Sequence, residues 1–122
     1  MPGSVTPMIH VPDVRATVEW YRGIGFEVVG VNEPDGEMDW AALTFGAGRI
    51  MFNEGGRPSG AHRREVDLYL DVEDVDALAD RLKTKGVEIV EDVHDTFYGQ
   101  RELIVRDLNR FWITFGQPIG DR

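Results

Sequence analysis

The chain has 122 residues and a formal charge of −9, from 13 Lys or Arg against 22 Asp or Glu, a length suited to one ordinary domain with its own core. With 42% hydrophobic and 29% charged residues the composition is that of a folded protein rather than a disordered one, and the acidic balance removes the counterion-release attraction behind nucleic-acid binding, so no nucleic-acid partner is expected. The absence of cysteine excludes disulfides, thiolate nucleophiles, zinc–thiolate centres and iron–sulfur clusters.

A cytoplasmic location fits that composition. The N-terminus has no basic stretch leading into an apolar one, and no apolar run approaches the roughly 18 residues of a membrane span. A soluble, unprocessed chain with no membrane partner is therefore expected.

The first predicted strand, residues 8–11, stops at Pro12. Asp13 then caps a helix that carries Val14, Val18 and Tyr21 on one face, and Gly23 or Gly25 ends it. Strands follow at 26–31 (FEVVGV), 40–45 (WAALTF) and 49–53 (RIMFN). The next stretch, NEGGRPSGAHRRE, is rich in turn residues and gathers Arg57, His62, Arg63 and Arg64. It reads either as a solvated linker or as an anion-recognising loop. A strand at 66–72 follows, then Asp74, a helix with Val75, Leu78, Ala79 and Leu82 on one face, and a closing Gly86. Strands at 87–93 (VEIVEDV), 101–105 (RELIV) and 111–115 (FWITF) complete the chain.

The two halves repeat one another. At an offset of 61 residues, Val11, Asp13, Val14, Ala16, Gly25, Glu27 and Val29 meet identical residues at Val72, Asp74, Val75, Ala77, Gly86, Glu88 and Val90. Each half reads βαβββ.

Paired modules of this kind, with V-x-D at the helix start and a G-F or G-V step after the helix, resemble the vicinal oxygen chelate superfamily. The stretches that carry the resemblance are HVPDVRATVEWYRGIGFEVV, LDVEDVDALADRLKTKGVEIV and VRDLNRFWITFGQ, the last similar to a D-P-D-G-N strand entry. The resemblance implies an α+β fold in which two tandem βαβββ modules form a curved mixed sheet with helices on its convex side. It implies one domain over 1–122, with module 1 at about 4–54, a linker at 55–64 and module 2 at about 65–117. It does not select an activity, because the superfamily holds glyoxalases, epimerases, extradiol dioxygenases, fosfomycin-modifying enzymes and non-catalytic bleomycin-binding proteins. Single-chain members with two modules imply a homodimer.

In the metal-dependent members each module gives one ligand from its first strand and one from its last. Carried onto this chain, those positions are Thr6, Met51, Asp67 and Thr114. Only Asp67 is a good ligand for a divalent ion, so no metal and no other cofactor is expected.

Strand alternation anchored on those positions sends Ile9, Val11, Ile50, Phe52, Leu68, Leu70, Phe111, Ile113 and Phe115 toward the helices. The opposite face then carries Trp40, Met51, Asp67, Tyr69, Glu102, Trp112 and Thr114. Aromatic planes beside carboxylates suit a planar cation, with Trp40 and Trp112 as stacking surfaces or, alternatively, as sheet-packing groups. The stretch DTFYGQRE also resembles an FYG-x-RE pattern of the bleomycin-resistance-like branch, which implies that Phe97 and Tyr98 sit over the cleft with Glu102 pointing inward. The alternative is that Glu102 merely satisfies Arg101. Catalytic residues are left unassigned. The expected function is metal-free sequestration of a planar aromatic, cationic small molecule; the alternatives are a lyase, epimerase or dioxygenase with an atypical metal site, or a cleft that serves only assembly.

Overall fold

The computed structural model describes residues 3–120. Two compact units divide the chain, Met1–Ser59 and Gly60–Arg122. The first contains β1 (Met8–His10), α1 (Val14–Gly23), β2 (Glu27–Asn32), a short 3-10 turn at Pro34–Gly36, β3 (Trp40–Phe45) and β4 (Gly48–Asn53). The second contains β5 (Leu68–Asp71), α2 (Val75–Thr84), β6 (Glu88–Asp95), β7 (Gln100–Arg106) and β8 (Trp112–Pro118). The sheets have the same plan, β1-β4-β3-β2 and β5-β8-β7-β6, and in each the first strand runs parallel to the last while the other pairings are antiparallel. The expected α+β architecture of two βαβββ modules is therefore what the chain forms.

Both helices start on an aspartate. Asp13 accepts from the Ala16 amide and Asp74 from the Ala77 amide, each at 3.0 Å, which satisfies an amide that the first turn of a helix leaves without a partner. Gly86, at φ +78°, turns the chain out of α2 as expected. After α1 the left-handed residue is Gly25, at φ +114°, whereas Gly23 remains the last helical residue.

The first strands are shorter than the sequence suggests. Thr6 and Asp67 both lie just outside them. Pro7 has no N–H for the ladder, although its carbonyl accepts from Met51 N at 2.8 Å. Asp67 turns its carboxylate to Arg63 instead. At the other end, β6 and β8 run on to Asp95 and Pro118, past the predicted limits.

Alternation sorts the faces as expected on the helix side. Phe52 pairs with Ala41, and Phe115 pairs with Leu103, and all four are 0% exposed. In the first unit Tyr21 from α1 packs edge-on against Phe26 and tilted against Phe52. In the second, Val75, Leu78, Ala79 and Leu82 bury the inner stripe of α2. Each buried Val, Leu or Phe side chain contributes roughly 1.5–3 kcal/mol, and Ala79 less. No helix among the described residues is long and apolar enough to cross a membrane.

Candidate functional site

The open face of the second sheet carries a carboxylate held by two phenols. Glu102 on β7 pairs with Gly116 on β8 and is only 3% exposed. Gly116 lacks a side chain where one would collide with Tyr69: a Cβ there would overlap the phenolic oxygen. The ring of Tyr69 thus crosses β8 over this glycine, and its hydroxyl donates to Glu102 Oε2 at 2.9 Å. Gln100 Oε1 is 3.2 Å from the same hydroxyl.

The second phenol comes from the β6–β7 turn. Thr96 and Gln100 close that turn through the Thr96 hydroxyl, which donates to the Gln100 carbonyl at 3.0 Å and accepts from its amide at 3.1 Å. Gly99 supplies the left-handed residue, φ +86°. Tyr98 is thereby folded back over β7 and donates to Glu102 Oε1 at 2.7 Å. Phe97 beside it is fully exposed and meets Tyr98 edge to face, with centroids 5.1 Å apart.

These contacts keep both phenols protonated well into the alkaline range. Burial, followed by the bond to Glu102, pushes Tyr69 far above the usual tyrosine value. Tyr98 moves the same way, chiefly through its bond to Glu102. Among the described residues no ion pair reaches Glu102. Arg101 does not serve it: alternation sends this arginine to the other face, where it pairs with Asp76 at 3.0 Å and Asp95 at 2.9 Å.

Further along the same face, at the start of β8, the Arg63 guanidinium lies over the ring of Trp112, 4.1 Å from its centroid, and forks onto the Asp67 carboxylate. Thr114, on the same face, is buried between its ladder partners Tyr69 and Ile104. The loop that brings Arg63 there is well tied. Arg110 Nε donates to the Ala61 carbonyl at 2.7 Å, and the His62 carbonyl accepts from Arg106 Nε at 2.9 Å and from Trp112 Nε1 at 3.1 Å. Arg64 covers Phe111 and donates to the Asn109 carbonyl. Residues 61–64 are thus tied to the second sheet by Arg64, Arg106, Arg110 and the Trp112 indole, while Arg57, Arg63 and most of the stretch between the units remain exposed.

The first sheet presents a different face. Met8, Met51, Ala42 and Gly30 form one row across its four strands, and His10, Asn53, Trp40 and Asn32 form the next. Trp40 lies against Gly30, where an added Cβ would stand 3.3 Å from its Cζ3. Neither row contains a carboxylate. On the helix side, a hollow of about 750 Å³ lined in part by Val18, Arg22, Phe26, Val28 and Met38 contains none of the candidate ligand or metal positions.

The positions that the resemblance assigns to a metal do not suit one. Thr6, Met51 and Thr114 offer hydroxyls and a thioether, and the single carboxylate, Asp67, is engaged by Arg63. Among the described residues no three His, Cys, Asp or Glu side chains come together as a metal-holding group.

Gly116 is the site residue that the sequence leaves unmarked, and Arg63, grouped there with Arg57, His62 and Arg64, is not tied to Trp112 or Asp67 by any local signal. A glycine inside a strand signals close approach by another group, and that was the available clue to Tyr69. Nothing in the spacing of Arg63 distinguishes it from its neighbour Arg64.

Residues 4–115 match the family described as the Glyoxalase/Bleomycin resistance protein/Dioxygenase superfamily. An uncharacterized protein of Mycobacterium bovis is 28% identical over 130 residues, covering 97% of this chain and 85% of the relative. Among solved structures, TioX from Micromonospora sp. ML1 is 28% identical with a TM-score of 0.80, covering 95% of this chain and 99% of that one. A bleomycin-binding protein complexed with bleomycin has the same fold at a TM-score of 0.73 and 16% identity, covering 95% of this chain and 98% of its own.

Proposed function

Given that this chain belongs to the Glyoxalase/Bleomycin resistance protein/Dioxygenase superfamily, we propose that it is a binding protein that sequesters a planar aromatic cation without metal and without chemical transformation. The observation that carries this reading is Glu102, a carboxylate 3% exposed whose oxygens are each held by a neutral phenol. Two hydroxyl donors solvate its charge without cancelling it, and a buried charge ordinarily has an ionic partner. A cationic ligand supplies that partner. Tyr69 and Tyr98 stand at the carboxylate with half-exposed rings, and Trp112 lies on the same sheet face. Flat rings and a carboxylate together select a flat cation over a flat anion.

Asp67, Thr114 and the exposed Phe97 complete the proposed contacts on this unit. On the first unit Trp40 and Met51 offer an apolar stacking face of their own. Small-molecule binding by a protein of this fold, the bleomycin complex, supports the class of activity. The donor chemistry at Thr6, Met51, Asp67 and Thr114 supports independence from metal. We place the protein in the cytoplasm as a homodimer, which sedimentation at micromolar concentration checks.

The test is a tryptophan-fluorescence titration with N-methylacridinium and with acridine-9-carboxylate, with and without EDTA. The cation binds wild type, the anion binds at least tenfold more weakly, and EDTA changes nothing. Glu102→Gln weakens cation binding by roughly tenfold or more, the scale of a hydrogen-bonded charge interaction of about 1.5–3 kcal/mol. Equal binding of the anion, or an unchanged affinity in Glu102→Gln, overturns the proposal.

A further inference from the structure

Arg63 and Arg64 are consecutive, Arg63 stacking on Trp112 at the start of β8 and Arg64 on Phe111 just before it, and their settings differ. Arg64 lies half-buried over Phe111, itself 6% exposed, and is anchored to the Asn109 carbonyl. Arg63 keeps 52% of its side chain exposed, and the contacts that hold it are the Trp112 ring and Asp67, whose side chain is 31% exposed. An exposed ion pair and an exposed cation–ring contact are both weak.

The surroundings of Arg63 are, by contrast, fixed without it. The Ala61 and His62 carbonyls are held by Arg110, Arg106 and the Trp112 indole N–H. Arg110 adopts φ +75°, a conformation that strains any residue with a Cβ, and its side chain supplies the anchor to Ala61. Because the indole N–H is tied to the loop, the plane of Trp112 is set whether or not a guanidinium covers it. Asp67 accepts from Arg63 in a two-pronged manner, Nε to Oδ1 at 3.2 Å and Nη2 to Oδ2. That geometry suits a flat cation with two adjacent N–H donors.

We infer that Trp112 and Asp67 form a subsite for a guanidinium or amidinium group, and that Arg63 is its internal occupant, displaced when an external ligand binds. The inference rests on the reading of this sheet face as a cation-binding surface and narrows the ligand to one that carries an N–H fork. An internal occupant lowers apparent affinity in proportion to the time it spends in the site. Removing it therefore tightens binding, which is the opposite of what the loss of an ordinary contact residue does.

Phenylguanidinium is the probe, followed by calorimetry with wild type, Arg63→Gln and Asp67→Asn, each checked for an unchanged melting profile. Arg63→Gln is expected to bind about fivefold more tightly than wild type, and Asp67→Asn at least fivefold more weakly. In the wild-type protein the Arg63 side-chain proton resonances, shifted upfield by the indole, move to solvent values as phenylguanidinium is added. Equal or weaker binding by Arg63→Gln, or Arg63 resonances that stay shifted at saturation, overturns the inference. N-methylacridinium separates the two claims, because it carries no N–H fork. If its Glu102-dependent binding persists while Arg63→Gln gains nothing for phenylguanidinium, only the subsite fails. If acridinium binding is indifferent to Glu102 while Arg63→Gln gains, only the broader reading fails.

Discussion

The two units share a backbone plan and differ in what they show on the face away from the helix. Their capping aspartates bond alike, at 3.0 Å from Asp13 and Asp74, and Phe52 and Phe115 occupy matching ladder positions with no exposure. On the open face the correspondence ends. Where the first sheet sets Trp40 opposite Asn53, the second sets Glu102 opposite Gly116. Where the first sheet pairs Met51 with Ala42, the second pairs Thr114 with Ile104. Even the glycines act in parallel, Gly30 lying against an indole and Gly116 lying under a phenol. Caps and core answer to backbone physics and stay alike; the open faces have no such constraint, and the central rows of one carry two methionines, an indole, a histidine and two asparagines while the other gathered a buried carboxylate and two phenols.

The largest effect that can break this comparison lies in the core. Phe52→Ala and Phe115→Ala should each lose about 3–5 kcal/mol in denaturant unfolding, because both remove a fully buried ring and leave a cavity. A loss of under 1 kcal/mol for one alone would show that the two positions are not equivalent. The glycines come next. Gly116→Ala drives its new methyl into the Tyr69 phenol, so the ring must leave Glu102, at about 1–3 kcal/mol for an under-satisfied buried acceptor. Gly30→Ala meets the Trp40 edge at 3.3 Å, a contact that a shift of a few tenths of an ångström relieves, and should stay within about 1 kcal/mol. Equal losses would place Gly116 in an ordinary structural role. Asp13→Ala and Asp74→Ala should each lower stability by about 1 kcal/mol, read from the same unfolding curves.

The fold was legible because its signals are local and doubled. An aspartate three residues before the amide it caps, a helical stripe of Val75, Leu78, Ala79 and Leu82, and a glycine that leaves the helix left-handed are all visible in one stretch of chain, and the 61-residue repeat shows most of them twice. Alternation also placed Glu102, Tyr69 and Trp112 on one face, which the ladder registers of β5, β7 and β8 bear out. What spacing could not reveal is which partner each side chain takes. Arg63 could reach solvent, an anion or Asp67 from the same backbone position, and the choice depends on how far the 61–64 loop folds over β8. The Arg101–Glu102 pairing offered by adjacency was excluded by the same alternation that located Glu102. Neighbours along a strand face opposite ways.

The smallest effect expected sharpens the comparison at its chemical centre, the Tyr69 phenol. Its ionisation is displaced upward, first by burial and then by the bond to Glu102, so the folded protein holds this proton more tightly than the unfolded chain does. The linked stability is fully present below the ordinary tyrosine value of about 10 and is lost as the pH rises toward the folded value. The advantage of wild type over Tyr69→Phe in denaturant unfolding should therefore be constant from pH 7 to 9 and shrink above about pH 10. Half-exposure of the ring keeps the change small through solvent screening. Difference absorbance titration of wild type against Tyr69→Phe gives the ionisation itself, and Glu102→Gln should bring it down only part of the way, because burial remains after the carboxylate is gone. The open face of the first unit presents no tyrosine in its two central rows, and that unit's Tyr21 lies in its core, so the difference between wild type and Tyr69→Phe reads the open face of the second unit. A wild-type advantage that stays flat to pH 11.5, or Tyr69 ionising in the ordinary tyrosine range, would mean that the phenol is not held at Glu102 in solution, and the chemical contrast between the two faces would lose its strongest term.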